Sequence, residues 1–133
     1  MLKKVLPIVC LMVLPVVSFA DGHAPGDAAK GEKVFRKCKA CHAVGEGAEN
    51  KVGPVLNGVV DRAVASAPDF GYSQVLMELA SAGTVWTAEE LSAFLEKPRN
   101  YAKGTKMSFA GLRKENDRLN VIAYLASFSA EGS

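Results

Sequence analysis

Apolar residues in this chain form one unbroken block near the start and then a series of short periodic runs. The block, Val5 to Val17, follows Lys3 and Lys4 and precedes Ser18-Phe19-Ala20. A charged start, an apolar centre and a small-x-small end make the pattern of a cleaved secretory signal. An uncleaved membrane anchor is the rival reading, but an apolar run of 13 residues is short for the roughly 20 that a span needs. Residues 1–20 are therefore read as the signal and 21–133 as one small domain. Downstream the period is helical. Asp27 can cap a helix through Val34 and Phe35, and Ser73 to Ala82 reads as a short helix closed by Gly83. Thr87-Ala88-Glu89-Glu90 is a capping box. It opens a helix with Leu91, Phe94 and Leu95 on one face, which Pro98 stops. A last helix runs from about Lys114 to Phe128, with Val121, Ile122, Tyr124, Leu125 and Phe128 at helical spacing. No convincing alternating strand appears. The expectation is an all-α domain of four to five helices whose long loops wrap something.

Composition narrows this only a little. Such a domain lies near the lower range at which a core stabilises itself comfortably. Losing Lys3 and Lys4 leaves 14 bases against 14 acids, so the exported chain is formally neutral and nucleic-acid binding is not suggested. The charges are nonetheless polarised along the sequence. Residues 61–96 hold Asp61, Asp69, Glu78, Glu89, Glu90 and Glu96 against Arg62. Residues 97–118 hold Lys97, Arg99, Lys103, Lys106, Arg113, Lys114 and Arg118 against Glu115 and Asp117.

The chemistry is concentrated in Cys38-Lys39-Ala40-Cys41-His42, a C-x-x-C-H run. That is the attachment signature of a c-type haem. Two thiols one helical turn apart can add to the vinyl groups on one porphyrin edge, and the adjacent His42 can serve as proximal iron ligand. A thioredoxin-like pair would need a βαβ setting, and a structural zinc site four separated ligands. Cys10 leaves with the signal, so the exported chain keeps two cysteines, both used by haem. For the sixth iron position the candidates are His23, Met77 and Met107. His23 lies in a Gly/Pro/Ala terminal tail. Met77 lies on an apolar helix face, where a core position is expected. Met107 lies in a loop, Lys103 to Gly111, that carries glycine near each end and can bring a thioether close to a flat ligand. A His/Met pair raises the reduction potential and fills the sixth site, which favours electron transfer over peroxide chemistry.

From Gly26 to about Ala126 the chain resembles the class I c-type cytochromes, of the bacterial cytochrome c2 and mitochondrial cytochrome c type. The likeness rests on Gly31 and Phe35, the haem motif, Val52-Gly53-Pro54-Val55-Leu56-Asn57-Gly58, and Phe70-Gly71-Tyr72-Ser73. Trp86, Lys97-Pro98-Arg99, Gly104-Thr105-Lys106-Met107-Ser108-Phe109-Ala110-Gly111 and Ile122-Ala123-Tyr124-Leu125 complete it. The resemblance implies one haem c bound through Cys38 and Cys41, with His42 and Met107 on the iron. It implies that the Pro54 carbonyl accepts from His42, that Arg62, Tyr72 and Trp86 lie near the buried propionate, and that Gly31 lets the first helix cross the last at Phe35, Val121 and Tyr124. Two positions depart from the family. Phe94 stands where a tyrosine usually donates to the ligand sulfur, and Leu76 where a polar residue is usual near the inner propionate.

The function implied is a periplasmic, monomeric one-electron carrier, not an enzyme, between a quinol-oxidising cytochrome bc complex and an oxidase or photosynthetic reaction centre. The alternatives are a dedicated acceptor for a periplasmic dehydrogenase and a small haem peroxidase. Partners are expected to dock transiently at the haem edge. Lys37, Lys39, Lys51, Arg99, Lys103, Lys106 and Lys114 are placed around that edge, with Phe109 near its centre.

Overall fold

Capping starts the first helix. In the computed structural model, which describes residues 26–130, the Asp27 side chain accepts from the Lys30 N–H at 3.1 Å and opens α1, Ala28–Phe35. The proposed signal segment, Cys10 and His23 lie outside the described residues. Ser73 caps α2, Gln74–Ser81, by backbone conformation alone, without a side-chain bond. Thr87 opens α3, Ala88–Glu96, by accepting from the Glu90 N–H. Only half of the expected capping box forms. The Thr87 N–H bonds the Val85 carbonyl, and the Glu90 carboxylate is engaged by the hydroxyl of Tyr101 instead. Pro98 ends α3 and at once occupies the first position of α4, Pro98–Tyr101, where its missing N–H costs nothing. The last helix, α5, spans Glu115–Ala126.

The termini of the domain are brought together where α1 crosses α5. A side chain at Gly31 would collide with the Asn120 carbonyl and the Tyr124 β-carbon, so only glycine allows this approach. The Phe35 and Tyr124 rings meet beside it with centroids 5.4 Å apart. Residues between the helices are loops. Among the described residues the extended structure is one isolated bridge, Ala63 to Val85.

The core gathers Phe35, Leu91, Phe94, Leu95, Val121, Ile122 and Leu125 from three helices, with Val59, Val64, Trp86 and Leu112 from loops. Helix α2 buries none of its residues fully. Met77, expected in the core, is 51% exposed. Helix α2 packs on the core through Val75, Leu76 and Leu79, and at helical spacing position 77 falls on the opposite, solvent-facing side.

Candidate haem site

Cys38 and Cys41 follow α1 in a continuing run of turns. The Cys38 carbonyl accepts from both the Cys41 and His42 N–H groups, which sets the two thiols and the imidazole on one stretch of curled backbone. The loop that follows folds back on this stretch. Gly53 N–H bonds the Cys41 carbonyl at 2.8 Å, and Leu56 N–H bonds that of Ala43 at 3.1 Å. Asn57, buried, pins the same loop by bonding both the N–H and the carbonyl of Gly45. The result places the Pro54 carbonyl 2.7 Å from Nδ1 of His42. A carbonyl can only accept, so Nδ1 carries the proton and Nε2 keeps its lone pair. Burial lowers the His42 pKa, outweighing the Pro54 bond that raises it, and Lys51 lowers it further. The ring is thus held neutral, the form that ligates metal. The imidazole packs on Gly53, where any β-carbon would strike it.

Burial pushes the Cys38 thiol up to about 11, with Cys41 adding to the effect and Lys37 opposing it. A raised thiol pKa is the reverse of what activates the nucleophile of a redox cysteine pair. No group of three or more His, Cys, Asp or Glu side chains that could hold a metal ion occurs among the described residues.

Cys38, Cys41, His42, Gly53, Pro54 and Leu56 line one cavity of about 550 Å³. Its walls are mainly apolar and include Phe35, Leu76, Leu91, Phe94, Leu95, Val121 and Leu125. Of the sequence candidates, Cys38, Cys41, His42, Pro54, Arg62, Tyr72, Trp86 and Met107 all line it. Met77 does not.

At another part of the wall, loop 59–73 supplies the polar groups. Its shape depends on Trp86, whose carbonyl accepts from Asp61 and whose N–H donates to Arg62. Asp61, Ala65 and Asp69 adopt left-handed backbone conformations. Asp tolerates that region, but at Ala65 it costs roughly 1–2 kcal/mol, held by the adjacent Val64–Thr84 bond and the Ala63–Val85 bridge. Arg62 Nη1 bonds the Asn57 carbonyl at 2.9 Å, while its buried Nε has no protein partner. The buried Ser73 Oγ, also on the cavity wall, has none either. Tyr72 accepts from the Ala67 N–H through its hydroxyl. Burial lowers the Arg62 pKa, and Tyr72 works against that. Two unpaired buried donors on an apolar cavity are an unfavourable arrangement in isolation. They suit an acidic ligand edge, and a haem propionate is such an edge. The residues present therefore fit a c-type haem.

Comparison with known proteins decides the family. The family model for cytochrome c matches residues 28–129. The chain belongs to the cytochrome c family. It is 54% identical over 105 residues to cytochrome c-550 of Ancylobacter novellus, covering 79% of this chain and 98% of that protein. Cytochrome c2 of Agrobacterium tumefaciens is 50% identical over 105 residues, covering 79% and 94%. The solved structure of cytochrome c2 from Rhodospirillum centenum superposes with a TM-score of 0.73 at 46% identity, covering 78% of this chain and 99% of that one. This class I cytochrome is an all-α monohaem electron-transfer protein and not an enzyme, with haem c bound covalently through Cys38 and Cys41. The peroxidase, zinc and thiol readings fall with that assignment.

Three contributors escaped the sequence reading. Nothing in the sequence marks Ser73 as a buried donor on the cavity wall. Arg118, one of the bases of the 97–118 stretch, is buried and donates to Ser92 Oγ and to the Leu112 and Arg113 carbonyls. A signal existed: position 118 falls on the same face as Val121, Ile122 and Leu125 by helical spacing. Glu90 was read as a capping residue, and nothing local pointed to Tyr101.

Proposed function

We propose that this cytochrome is a periplasmic shuttle, exported by its N-terminal segment, that takes single electrons from a quinol-oxidising cytochrome bc complex. It passes them to a terminal oxidase or a photosynthetic reaction centre. The observation that carries the reading is that a neutral His42 with a free Nε2 and the Met107 thioether line the same apolar cavity as the two motif cysteines. His42 and Met107 are assigned as the axial ligands.

Bound haem supplies the one-electron couple between iron(II) and iron(III). The chain's own groups do the rest. The Pro54 carbonyl fixes the His42 tautomer and ring orientation. The soft Met107 sulfur favours the reduced state and raises the potential. Arg62 and Ser73 offer donors to a propionate, with Tyr72 and Trp86 beside them on the wall. The apolar remainder excludes water, which holds reorganisation small during transfer.

The docking face is assigned to the cavity mouth. Lys37, Lys106 and Phe109 line it together with Val52, which is 78% exposed. Lys106 Nζ bonds the Gly71 carbonyl at 3.1 Å, and Lys51 Nζ bonds that of Lys39 at 2.7 Å. Arg99 reaches the Ser108 carbonyl in the methionine loop. Lys39, Lys51, Arg99, Lys103 and Lys114 are exposed but not part of the lining.

Ligation is tested by absorption. The oxidised protein should show the weak near-infrared-edge band of an iron–thioether bond, lost in Met107→Ala and kept in Met77→Ala. The reverse pattern would refute the ligand assignment. The partner assignment is tested with membranes: reduction by quinol through a bc complex, followed by reoxidation by an oxidase or reaction centre. Reduction only by a soluble dehydrogenase would overturn it.

A further inference from the structure

The Met107 loop leaves α4 at Ala102 and returns to the core at Leu112, both buried. Each root is tied to α3 by a side chain. At the return, Leu112 N–H bonds the Leu95 carbonyl at 2.7 Å, and Arg118 spans from Ser92 Oγ to the Leu112 and Arg113 carbonyls. At the departure, the Tyr101 hydroxyl donates to the Glu90 carboxylate. Ser92 and Glu90 are two residues apart on α3, so one helix holds both ends of the loop.

The departure root leads to the sulfur through a continuous set of bonds. Ala102 N–H bonds Pro98 O at 2.9 Å, Thr105 N–H bonds Ala102 O at 3.0 Å, and Met107 N–H bonds Thr105 Oγ1 at 3.3 Å. Tyr101 is also wedged against two residues of the cavity wall, with ring centroids 5.7 Å from Phe94 and 6.0 Å from Trp86. Burial first, then the hydrogen bond and charge of Glu90, push the Tyr101 phenol up to about 12, so it remains a donor throughout the neutral range.

We propose that Glu90 is a positioning residue for Met107: by accepting the Tyr101 hydroxyl it anchors the root of the methionine loop and keeps the thioether in place as an iron ligand. This rests on the assignment of Met107 as that ligand. A carboxylate is a stronger acceptor for a phenol than a neutral group is, and a rigid root limits how often the loop can swing away.

The test uses the oxidised holoprotein and imidazole as a competitor for the position held by Met107. Glu90→Ala and Tyr101→Phe should each tighten imidazole binding about tenfold, the size expected for loss of a charge-assisted bond in a half-buried setting. The double variant should bind no tighter than either single one. Glu90→Gln, whose amide oxygen can accept the same hydroxyl, should restore most of the resistance. Val64→Ala, a core truncation at a residue outside the cavity wall, should lower the denaturation midpoint and leave imidazole affinity unchanged. Should Glu90→Ala change affinity no more than Val64→Ala, or the two single effects simply add, the anchoring role is overturned. Met107→Ala separates the two assignments. If it keeps the thioether band, the ligand reading itself is wrong; if it loses the band while Glu90→Ala has no effect, this proposal alone fails.

Discussion

Phe94 is the position at which this cytochrome's potential can be moved without touching a ligand. It is 7% exposed, lines the cavity with Met107, and packs its ring 5.0 Å from Trp86 and 5.7 Å from Tyr101, centroid to centroid. Phe94→Tyr adds one hydroxyl to a nearly sealed apolar site. If that hydroxyl donates to the Met107 sulfur, it draws electron density from the ligand and stabilises the reduced state. A neutral hydrogen bond is worth about 0.5–1.5 kcal/mol. At ~59 mV per tenfold for one electron and ~1.36 kcal/mol per tenfold, this converts to about 20–65 mV. The bond exists in both oxidation states and only the difference counts, so ~65 mV is a ceiling and a rise of a few tens of millivolts is expected. Spectroelectrochemical titration measures the shift, and guanidinium denaturation measures the cost. A hydroxyl that misses the sulfur stays buried and unpaired, which would leave the potential alone and cost about 1–3 kcal/mol. A potential that falls, or one that is unchanged at unchanged stability, refutes the reasoning.

Arg118→Ala should lower stability by about 2–5 kcal/mol, since it strands one fully buried carbonyl and two half-buried acceptors; a loss below ~1 kcal/mol in denaturant titration would mean water replaces the guanidinium. The bimolecular rate with an acidic redox partner should fall as salt rises, despite formal neutrality, because exposed charges are screened over about 8 Å at physiological ionic strength. Lys106→Glu at the cavity mouth should slow that rate more than Lys30→Glu on α1, and equal losses would remove the mouth as the docking face. Tyr101 has its pKa raised in the folded state from 10.0 to about 12, so its contribution to stability is complete below 10 and lost between pH 10 and 12. Tyr101→Phe should flatten the stability profile in that window, and an unaltered alkaline limb would show that another group titrates there.

Periodicity was enough to find α1, α2, α3 and α5, helped at α1 and α3 by a local capping residue, because each shows an apolar face in residues three and four apart. It placed the cavity-lining residues only through motif and resemblance. Met77 shows the limit of reading apolar residues one by one: α2 meets the core through Val75, Leu76 and Leu79, and Met77, opposite them on the helix, is exposed. Glu90 shows the converse. A Thr-x-x-Glu run satisfies the capping rule, yet the carboxylate finds a phenol 11 residues away to be the better donor. Arg118 was hidden because a lone base on an apolar helix face is ambiguous until the carbonyls it serves, at Leu112 and Arg113, are known. Long-range polar partners of this kind have no period in the sequence.

The wall residues also determine how the chain depends on its haem. Phe35 from α1, Leu91, Phe94 and Leu95 from α3, and Val121 and Leu125 from α5 belong both to the core and to the lining of the cavity. Much of the core is therefore also the wall of the binding site. Unfilled apolar space costs about 24 cal/mol per Å³. An apolar space of about 550 Å³ is far more than a domain with about 5–15 kcal/mol of stability leaves unfilled. The chain produced without haem, or with Cys38→Ser and Cys41→Ser so that haem is not retained, should lack a cooperative thermal transition by circular dichroism and regain it only with haem in place. A haem-free chain that melts cooperatively with native helix content would show that the helices pack without the porphyrin, and that the wall is not the core.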